Sequence, residues 1–383
     1  MGDKIDSMDG VHTQNPFSPT FGSTPPMLAG RNQVLKRFFD ALDTGPTHPD
    51  YTLLLTGNRG TGKTALLNVL EAQVAERGWM FITASASAES LSERIVSEAK
   101  RCIARLKARR GSTRVSSVHM MGVGVSLDAS LQGPKQSSSL LAVLEELGEL
   151  LAQRGGGLLL TVDELHDVDR DDVRNVASAV QIVTRRQQRP IAFVAAALPL
   201  IADTHLADSR MTFLQRCARA WLGFLDEDET RMALQQPILD AGSTIDNDAI
   251  AEAVALTLGY PYMIQLVGFQ AWQMRENLSD PISLSNVQAG AMEAEMIMVD
   301  QIAGPIWNRL SPMDRRFLIE MLADEPDSCL TDIAIRLGRS VQYARTYRRR
   351  LIAAGAISIS SKGRVRFLHH ALRSQAEMAT RQE

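Results

Sequence analysis

Apolar positions along this chain fall into two kinds of run. Short continuous ones, Tyr51–Thr56 (YTLLLT), Trp79–Thr83, LLLTVDEL from Leu158, Ile191–Ala197 (IAFVAAA) and a last short run at Trp221–Leu225, read as strands. Between them lie segments of helical period: Arg31–Leu42, Lys63 to about Arg77, a long charged stretch through Arg110, and Leu140–Arg154, which Gly155–Gly157 ends. Strands that alternate with helices and are apolar along their whole length predict a parallel sheet covered on both faces. Residues 111–139 are rich in Gly and Ser, and within them MMGVGVSLDASL alternates as a hairpin would. From Asp226 to about Leu310 the pattern is wholly helical. Three short helices follow, at Ser311–Ala323, Cys329–Gly338 and Ser340–Ala354. A strand pair closes the series, Ala356–Ser360 and Arg364–Leu368, around a turn at Ser361-Lys362-Gly363. Pro16, Pro19, Pro25 and Pro26 make residues 1–28 an extended segment. There is no internal repeat.

The junction of the first strand and its helix carries the chemistry. Gly57-Asn58-Arg59-Gly60-Thr61-Gly62-Lys63-Thr64 fits G-x-x-x-x-G-K-[ST] at every position. Positions without side chains let consecutive backbone N–H groups curl round a phosphate, and the helix that follows turns its positive end to the same anion. In that setting Lys63 reaches the β- and γ-phosphates and the Thr64 hydroxyl ligates Mg²⁺. The ligand read from this loop is a nucleoside triphosphate with Mg²⁺. A metal also needs a carboxylate. Asp163 stands at the end of a buried strand, where ligands gather on open α/β sheets, and is expected to hold Mg²⁺. Glu164, the next residue, is placed to orient and polarise the attacking water. His166 alone is weak grounds for a ligand and is read as a surface residue.

Composition narrows the classes. The 383 residues suit two or three domains, with 45% hydrophobic and 22% charged residues. No apolar run approaches the ~20 residues that span a bilayer. MGDKIDSMDG lacks the apolar core of a signal peptide, and Asp6 departs from the myristoylation pattern. Cys102, Cys217 and Cys329 are too scattered for a zinc cluster or a disulfide framework and are expected as buried reduced thiols. A cytoplasmic protein with no membrane partner is the expectation. The net charge of −3 hides an asymmetry: Thr331–Glu383 holds eleven Lys/Arg against three Asp/Glu, a net of +8, which leaves −11 on the rest. A basic end on an acidic body suggests a module for a polyanion.

These motifs resemble the AAA+ superfamily, and within it the origin-recognition/initiator-type ATPases and their bacterial relatives, over roughly residues 16–370. The resemblance implies a three-layer αβα P-loop NTPase with a parallel sheet of order 5-1-4-3-2, then an α-helical lid and a winged-helix domain. It divides the chain into an extended segment 1–28, an ATPase core 29–226, a lid 227–308 and a DNA-binding winged helix 309–383. Pro25–Phe38 resembles the family segment near the adenine, with Leu28 to Arg31 as the contact. SRMTFLQRCARAW falls where such proteins carry an arginine that reaches the γ-phosphate of a neighbouring subunit. Arg216 is the first candidate, with Arg210 and Arg219 as alternatives. A homo-oligomer or a partner ATPase subunit is therefore implied.

Two places depart from that pattern. Ala195-Ala196-Ala197-Leu198-Pro199 has no side-chain donor where a polar water-sensing residue is usual. Leu258-Gly259-Tyr260-Pro261-Tyr262 stands where initiators often have Gly-Asp-x-Arg, with Tyr262 at the arginine position. The GYP sequence resembles instead the lid motif of STAND-type switch ATPases, whose proline (here Pro261) contacts the base. Both departures imply slow turnover and a nucleotide-controlled switch. The alternative is a STAND-like regulator or defence switch that scarcely hydrolyses ATP.

The C-terminal helix-helix-helix-hairpin resembles the winged-helix variant of helix-turn-helix. On its third helix Val341, Ala344, Leu351 and Tyr347 are expected to face inward. Gln342, Tyr343, Arg345, Thr346, Arg348 and Arg349 are then available to the major groove of double-stranded DNA, with Lys362, Arg364 and Arg366 on the wing. Seven Lys/Arg and no acid lie between Ser340 and His370, a density suited to neutralising phosphates. The methionines of AMEAEMIMVDQI are expected in the lid core.

Overall fold

The structure, a computed structural model, describes residues 14–20, 22–86, 89–108 and 139–382. The hairpin expected in MMGVGVSLDASL lies outside the described residues. The chain divides into two compact units, Arg31–Gly223 and a second made of the N-terminal segment with Phe224–Glu383.

The first unit is built on a five-stranded sheet. Its strands are β1 (Thr52–Thr56), β2 (Met80–Ser85), β3 (Leu158–Asp163), β4 (Ile191–Ala197) and β5 (Ala218–Trp221). All the pairings are parallel, in the order β2-β3-β4-β1-β5, which is the expected 5-1-4-3-2 read from the other edge. Alternate residues of a strand point to opposite faces, so a strand buried on both must be apolar throughout. β4 shows this most plainly, with every residue of IAFVAAA buried.

Leu54, Leu160, Val162, Phe193 and Ala195 form one face, sharing a core with α3 (Leu91–Ala108), α4 (Leu140–Ala152) and α5 (Arg170–Gln181) through Ile95, Leu144, Leu147 and Val176. On the strands the alternating Leu53, Leu55, Leu159 and Val194 are buried too. The helix α2 (Lys63–Glu76), with Leu66, Leu70 and Val74 buried, lies against β2, β3 and β4. A further helix, α1 (Asn32–Thr44), precedes β1, and a short one, α6 (Thr212–Arg216), precedes β5.

The last strand corrects the sequence reading, which placed it at Trp221–Leu225. It runs from Ala218 to Trp221 and pairs only with β1. An edge strand is half-exposed, so ARAW shows no apolar run, whereas the run WLGFL just beyond it does.

The second unit is helical through α7 (Glu227–Asp240), α8 (Asn247–Thr257), α9 (Pro261–Gln273), α10 (Leu284–Met298) and α11 (Gly304–Arg309). Capping boxes start α7 (Asp226 with Glu229) and α10 (Ser283 with Asn286), each cap contributing about 1 kcal/mol. Then come α12 (Pro312–Met321), β6 (Ser328–Cys329), α13 (Leu330–Arg336), α14 (Val341–Ala353), β7 (Ile357–Ser361), β8 (Arg364–Phe367) and α15 (His370–Gln382).

The three short helices and the hairpin stand where the pattern put them. Two elements were missed: β6, which adds to the hairpin in the order β6-β8-β7, and α15. A two-residue strand carries no periodic signal. The buried residues of α15, Ala371, Leu372 and Ala376, are too small and few to show a helical period.

The methionine run also needs correcting. Met298 is buried, but Met292 and Met296 are 71% and 56% exposed, because α10 turns them away from α9. Cys102 and Cys217 are buried free thiols, while Cys329 is only partly covered.

Candidate nucleotide site

At the C-terminal end of β1 the chain enters the glycine loop. A Cβ on Gly57 would stand 2.5 Å from the Leu222 carbonyl oxygen and 2.7 Å from Thr61 Oγ1, so backbone approaches here as no side chain would allow. Gly62 caps α2 in the left-handed region, at φ +85°, with no side-chain hydrogen bond to the helix and no acid in the first turn. The N-cap therefore offers the first N–H groups of α2 no side-chain acceptor. A helix start of this kind favours an anion.

Lys63, only 6% exposed, folds back over the loop and donates from Nζ to the Gly57 oxygen at 3.1 Å and the Asn58 oxygen at 2.9 Å. Burial draws its pKa below the usual lysine value; the charges of Glu164 and Asp163 oppose that. Thr61, also buried, donates Oγ1 to the Asn58 oxygen at 2.9 Å. Arg31 is buried, and its guanidinium donates to the Gly223 oxygen at 2.6 Å and the Thr61 oxygen at 3.3 Å. It braces the loop from the side of α1. Asn58 is half-buried and Arg59 exposed on the rim.

From across the sheet β3 brings the acids. The Thr64 hydroxyl donates to Asp163 Oδ2 at 2.6 Å, and Asp163 Oδ1 accepts the Glu164 N–H at 2.8 Å. A hydroxyl and a carboxylate oxygen side by side at the lip of an anion cradle are hard donors suited to Mg²⁺, so these residues fit that ion. Glu164 adopts φ +50°, a left-handed conformation uncommon for a side-chain-bearing residue, and its side chain is 44% exposed. Burial first, then the adjacent Asp163 charge, raises its pKa.

His166 is the chief miss. It is buried, not on the surface, and lies within reach of Glu164. Its one sequence signal was its place two residues after Glu164. Glu71 is a second buried acid that the pattern did not reveal; it sits on α2 and accepts hydrogen bonds from Thr83 Oγ1 at 2.8 Å and from Thr161 Oγ1.

The three candidate arginines differ. Arg210 is committed to Asp208 by two hydrogen bonds, Nε to Oδ1 at 3.1 Å and a terminal nitrogen to Oδ2 at 3.0 Å, which hold the Asp208 carboxyl far below its usual pKa. Arg216 ends α6, and Arg219 lies on the edge strand β5; both are exposed.

In the second unit Pro261 opens α9, and Tyr262 at the arginine position turns inward, its hydroxyl donating to Gln301 Oε1 at 3.1 Å. On α14, Ala344 and Leu351 are buried and Val341 and Tyr347 half-buried. Gln342, Arg345, Thr346 and Arg349 are exposed, as are Lys362, Arg364 and Arg366, while Tyr343 and Arg348 are partly covered. Arg350 has a different part: it donates to buried Asp314 at 2.7 Å and lies over the Tyr347 ring.

Fold and loop together are those of the P-loop NTPase class. Residues 27–194 match the family model described as AAA ATPase domain, and residues 300–373 match one described as Domain of unknown function (DUF8462). In solved structures the chain is similar to the Walker-type ATPase of Pyrococcus abyssi, at 15% identity over 91% of this chain and 96% of that one, with a TM-score of 0.63. It is similar too to the ORC2 protein of Aeropyrum pernix in its ADPNP–ADP complexes (16% identity, 94% and 98% covered, TM-score 0.57). Cdc6p of Pyrobaculum aerophilum gives 14% identity, 95% and 96% coverage and a TM-score of 0.50. No curated protein is significantly similar to the chain. Residues 27–194 thus resemble an AAA ATPase domain, and the chain shares the fold of these ORC- and Cdc6-type structures. Among the described residues no helix is long and apolar enough to cross a membrane.

Proposed function

We propose that this protein binds ATP with Mg²⁺, hydrolyses it slowly, and uses the nucleotide state as a switch on double-stranded DNA. The observation that carries the reading is the meeting of Thr64 and Asp163 at 2.6 Å beside a loop whose lysine is buried against its own carbonyls. On this reading the backbone N–H groups of residues 57–64 and Lys63 Nζ hold the phosphates, Thr64 and Asp163 hold the metal, and Glu164 orients the attacking water. The metal, when bound, supplies neutralisation of the phosphate charge. A raised Glu164 pKa suits a group that takes a proton from water. Arg216, exposed at the end of α6, is offered as the residue reaching a neighbouring subunit.

The segments 227–308 and 309–383 are assigned as helical lid and winged-helix domain. Exposure of Gln342, Arg345, Arg349, Lys362 and Arg364 supports a DNA-facing surface on α14 and the hairpin. The donor-free end of β4 and the inward turn of Tyr262 support slow turnover, and they keep a second reading open: a STAND-like regulator that binds ATP and scarcely hydrolyses it. Calorimetric titration with ATP and Mg²⁺ tests the first step. Uptake by the parent, its loss in Lys63→Ala and retained ATP in Glu164→Gln are expected; no uptake by the parent defeats both readings. Measurable turnover that rises with protein concentration and is lost in Arg216→Ala separates the enzyme from the regulator.

A further inference from the structure

His166 lies on a 3-10 turn, Leu165–Asp167, directly after β3, with its side chain 1% exposed. The two ring nitrogens face different groups. Nδ1 accepts the backbone N–H of Leu198, the residue just beyond β4, at 3.3 Å. A ring nitrogen that accepts must present its lone pair, so in the neutral imidazole the proton sits on Nε2. Burial holds the ring below its ordinary pKa, which keeps it neutral at neutral pH.

Nε2 is fully buried and has no hydrogen-bond partner among the described residues. It points between Glu164 Oε2 at 3.4 Å and Asp167 Oδ1 at 3.6 Å. A buried N–H with no acceptor is costly, and a small movement of either carboxylate satisfies it.

Glu164, His166 and Asp167 bring ligand atoms within 4.8 Å of one another, as a metal site would. A metal, however, needs the Nε2 lone pair, and the Leu198 N–H leaves that nitrogen carrying hydrogen. What this cluster offers is a donor.

We propose that His166 is a positioning residue, whose Nε2–H steers the Glu164 carboxylate into the orientation from which it acts on water. The proposal rests on the reading of Glu164 given above. Because Ala195, Ala196 and Ala197 offer no side-chain donor, the imidazole is the means by which the end of β4 reaches Glu164: Leu198 N–H to Nδ1, then Nε2–H to the carboxylate. Asp167 competes for the same hydrogen. When the Asp167 carboxylate moves in to accept Nε2–H, Glu164 is released from that orientation.

The test compares the full chain with His166→Asn and His166→Gln, using Glu164→Gln as the reference for lost catalysis. Asparagine keeps an acceptor near the Nδ1 position and removes the Nε2 donor; glutamine places an amide N–H near Nε2. His166→Asn should lower kcat about tenfold or more while the ATP dissociation constant stays within about twofold, and His166→Gln should recover most of that loss. In the nucleotide-free protein labelled with ¹⁵N-histidine, the NMR signal absent from His166→Asn should show the Nε2–H tautomer.

Unchanged kcat in His166→Asn beside a dead Glu164→Gln overturns the proposal alone. So do an equal loss of ATP affinity, a glutamine that restores nothing, or an Nδ1–H tautomer. Turnover in Glu164→Gln as fast as in the parent brings down the Glu164 reading, and this proposal with it.

Discussion

Thr64 and Asp163 are 99 positions apart in sequence, and the hydroxyl of one donates to the carboxylate of the other at 2.6 Å. Each stands at the lip of a strand: Thr64 in the first turn of the helix after β1, Asp163 at the last position of β3. The strand β4 lies between those two strands in the sheet. The contact is the product of a sheet order, and it places two hard oxygens where a divalent ion can take both.

Asp163→Asn should therefore remove metal dependence more than nucleotide binding. ATP affinity of the parent, measured by calorimetry, should fall when EDTA replaces Mg²⁺. In the variant that difference should shrink by about tenfold, roughly 1.4 kcal/mol of coupling. An undiminished Mg²⁺ effect would remove Asp163 from the metal.

Gly57 is a packing position as well as a loop position. A methyl group there meets the Leu222 carbonyl oxygen, which is backbone and cannot swing aside. Gly57→Ala should lower stability by about 1–3 kcal/mol, seen as a shift of the urea midpoint. A midpoint equal to that of the parent would mean the loop relaxes freely.

Two neighbouring arginines on α14 should separate structure from binding. Arg350 is the partner of Asp314, whose side chain is 3% exposed. Arg350→Ala leaves that carboxylate short of a donor and should cost roughly 1–3 kcal/mol of stability. Arg349→Ala should leave the melting curve unchanged, weaken binding to duplex DNA, and reduce the slope of log affinity against log salt by about one. Equal effects of both changes on melting, or no effect of Arg349→Ala on DNA affinity, would contradict this division.

The tilted contact of His369 with Tyr260, ring centroids 4.3 Å apart, ties the Leu258–Tyr262 segment to the start of α15. Burial pushes the His369 pKa down to about 3. In the unfolded chain it titrates near 6.5, so between those values the unfolded state binds the extra proton. Stability should be complete above about pH 6.5 and should fall with decreasing pH, by at most about 1.4 kcal/mol per unit from this group. Its exposed neighbour His370, raised by Glu295, contributes with the opposite sign in both proteins. His369→Leu should accordingly flatten the difference in urea midpoint between about pH 6 and pH 4. A slope as steep as in the parent would assign the acid sensitivity elsewhere.

Much of this was legible in the chain because the signals are local. The glycine loop, the acids after LLLTVDE and the fully apolar β4 lie within single elements, where period, glycine spacing and strand burial speak directly. What the sequence could not decide depends on neighbours. β5 pairs with only one strand, so its boundaries follow from the register with β1 and not from its own ARAW. His166 reads as polar and is buried because the β3 turn tucks it under Leu198, more than thirty residues on. Met292 and Met296 read as core and are exposed, since only one face of α10 meets α9. Arg350 looks like its neighbours until Asp314, 36 positions earlier, proves to be its partner. By itself the sequence determined which segments fold and where the glycine loop and the acids after β3 lie. Tertiary packing alone decided which polar groups lose water and find one another, because that follows from distances across the sheet and between helices that no local pattern encodes.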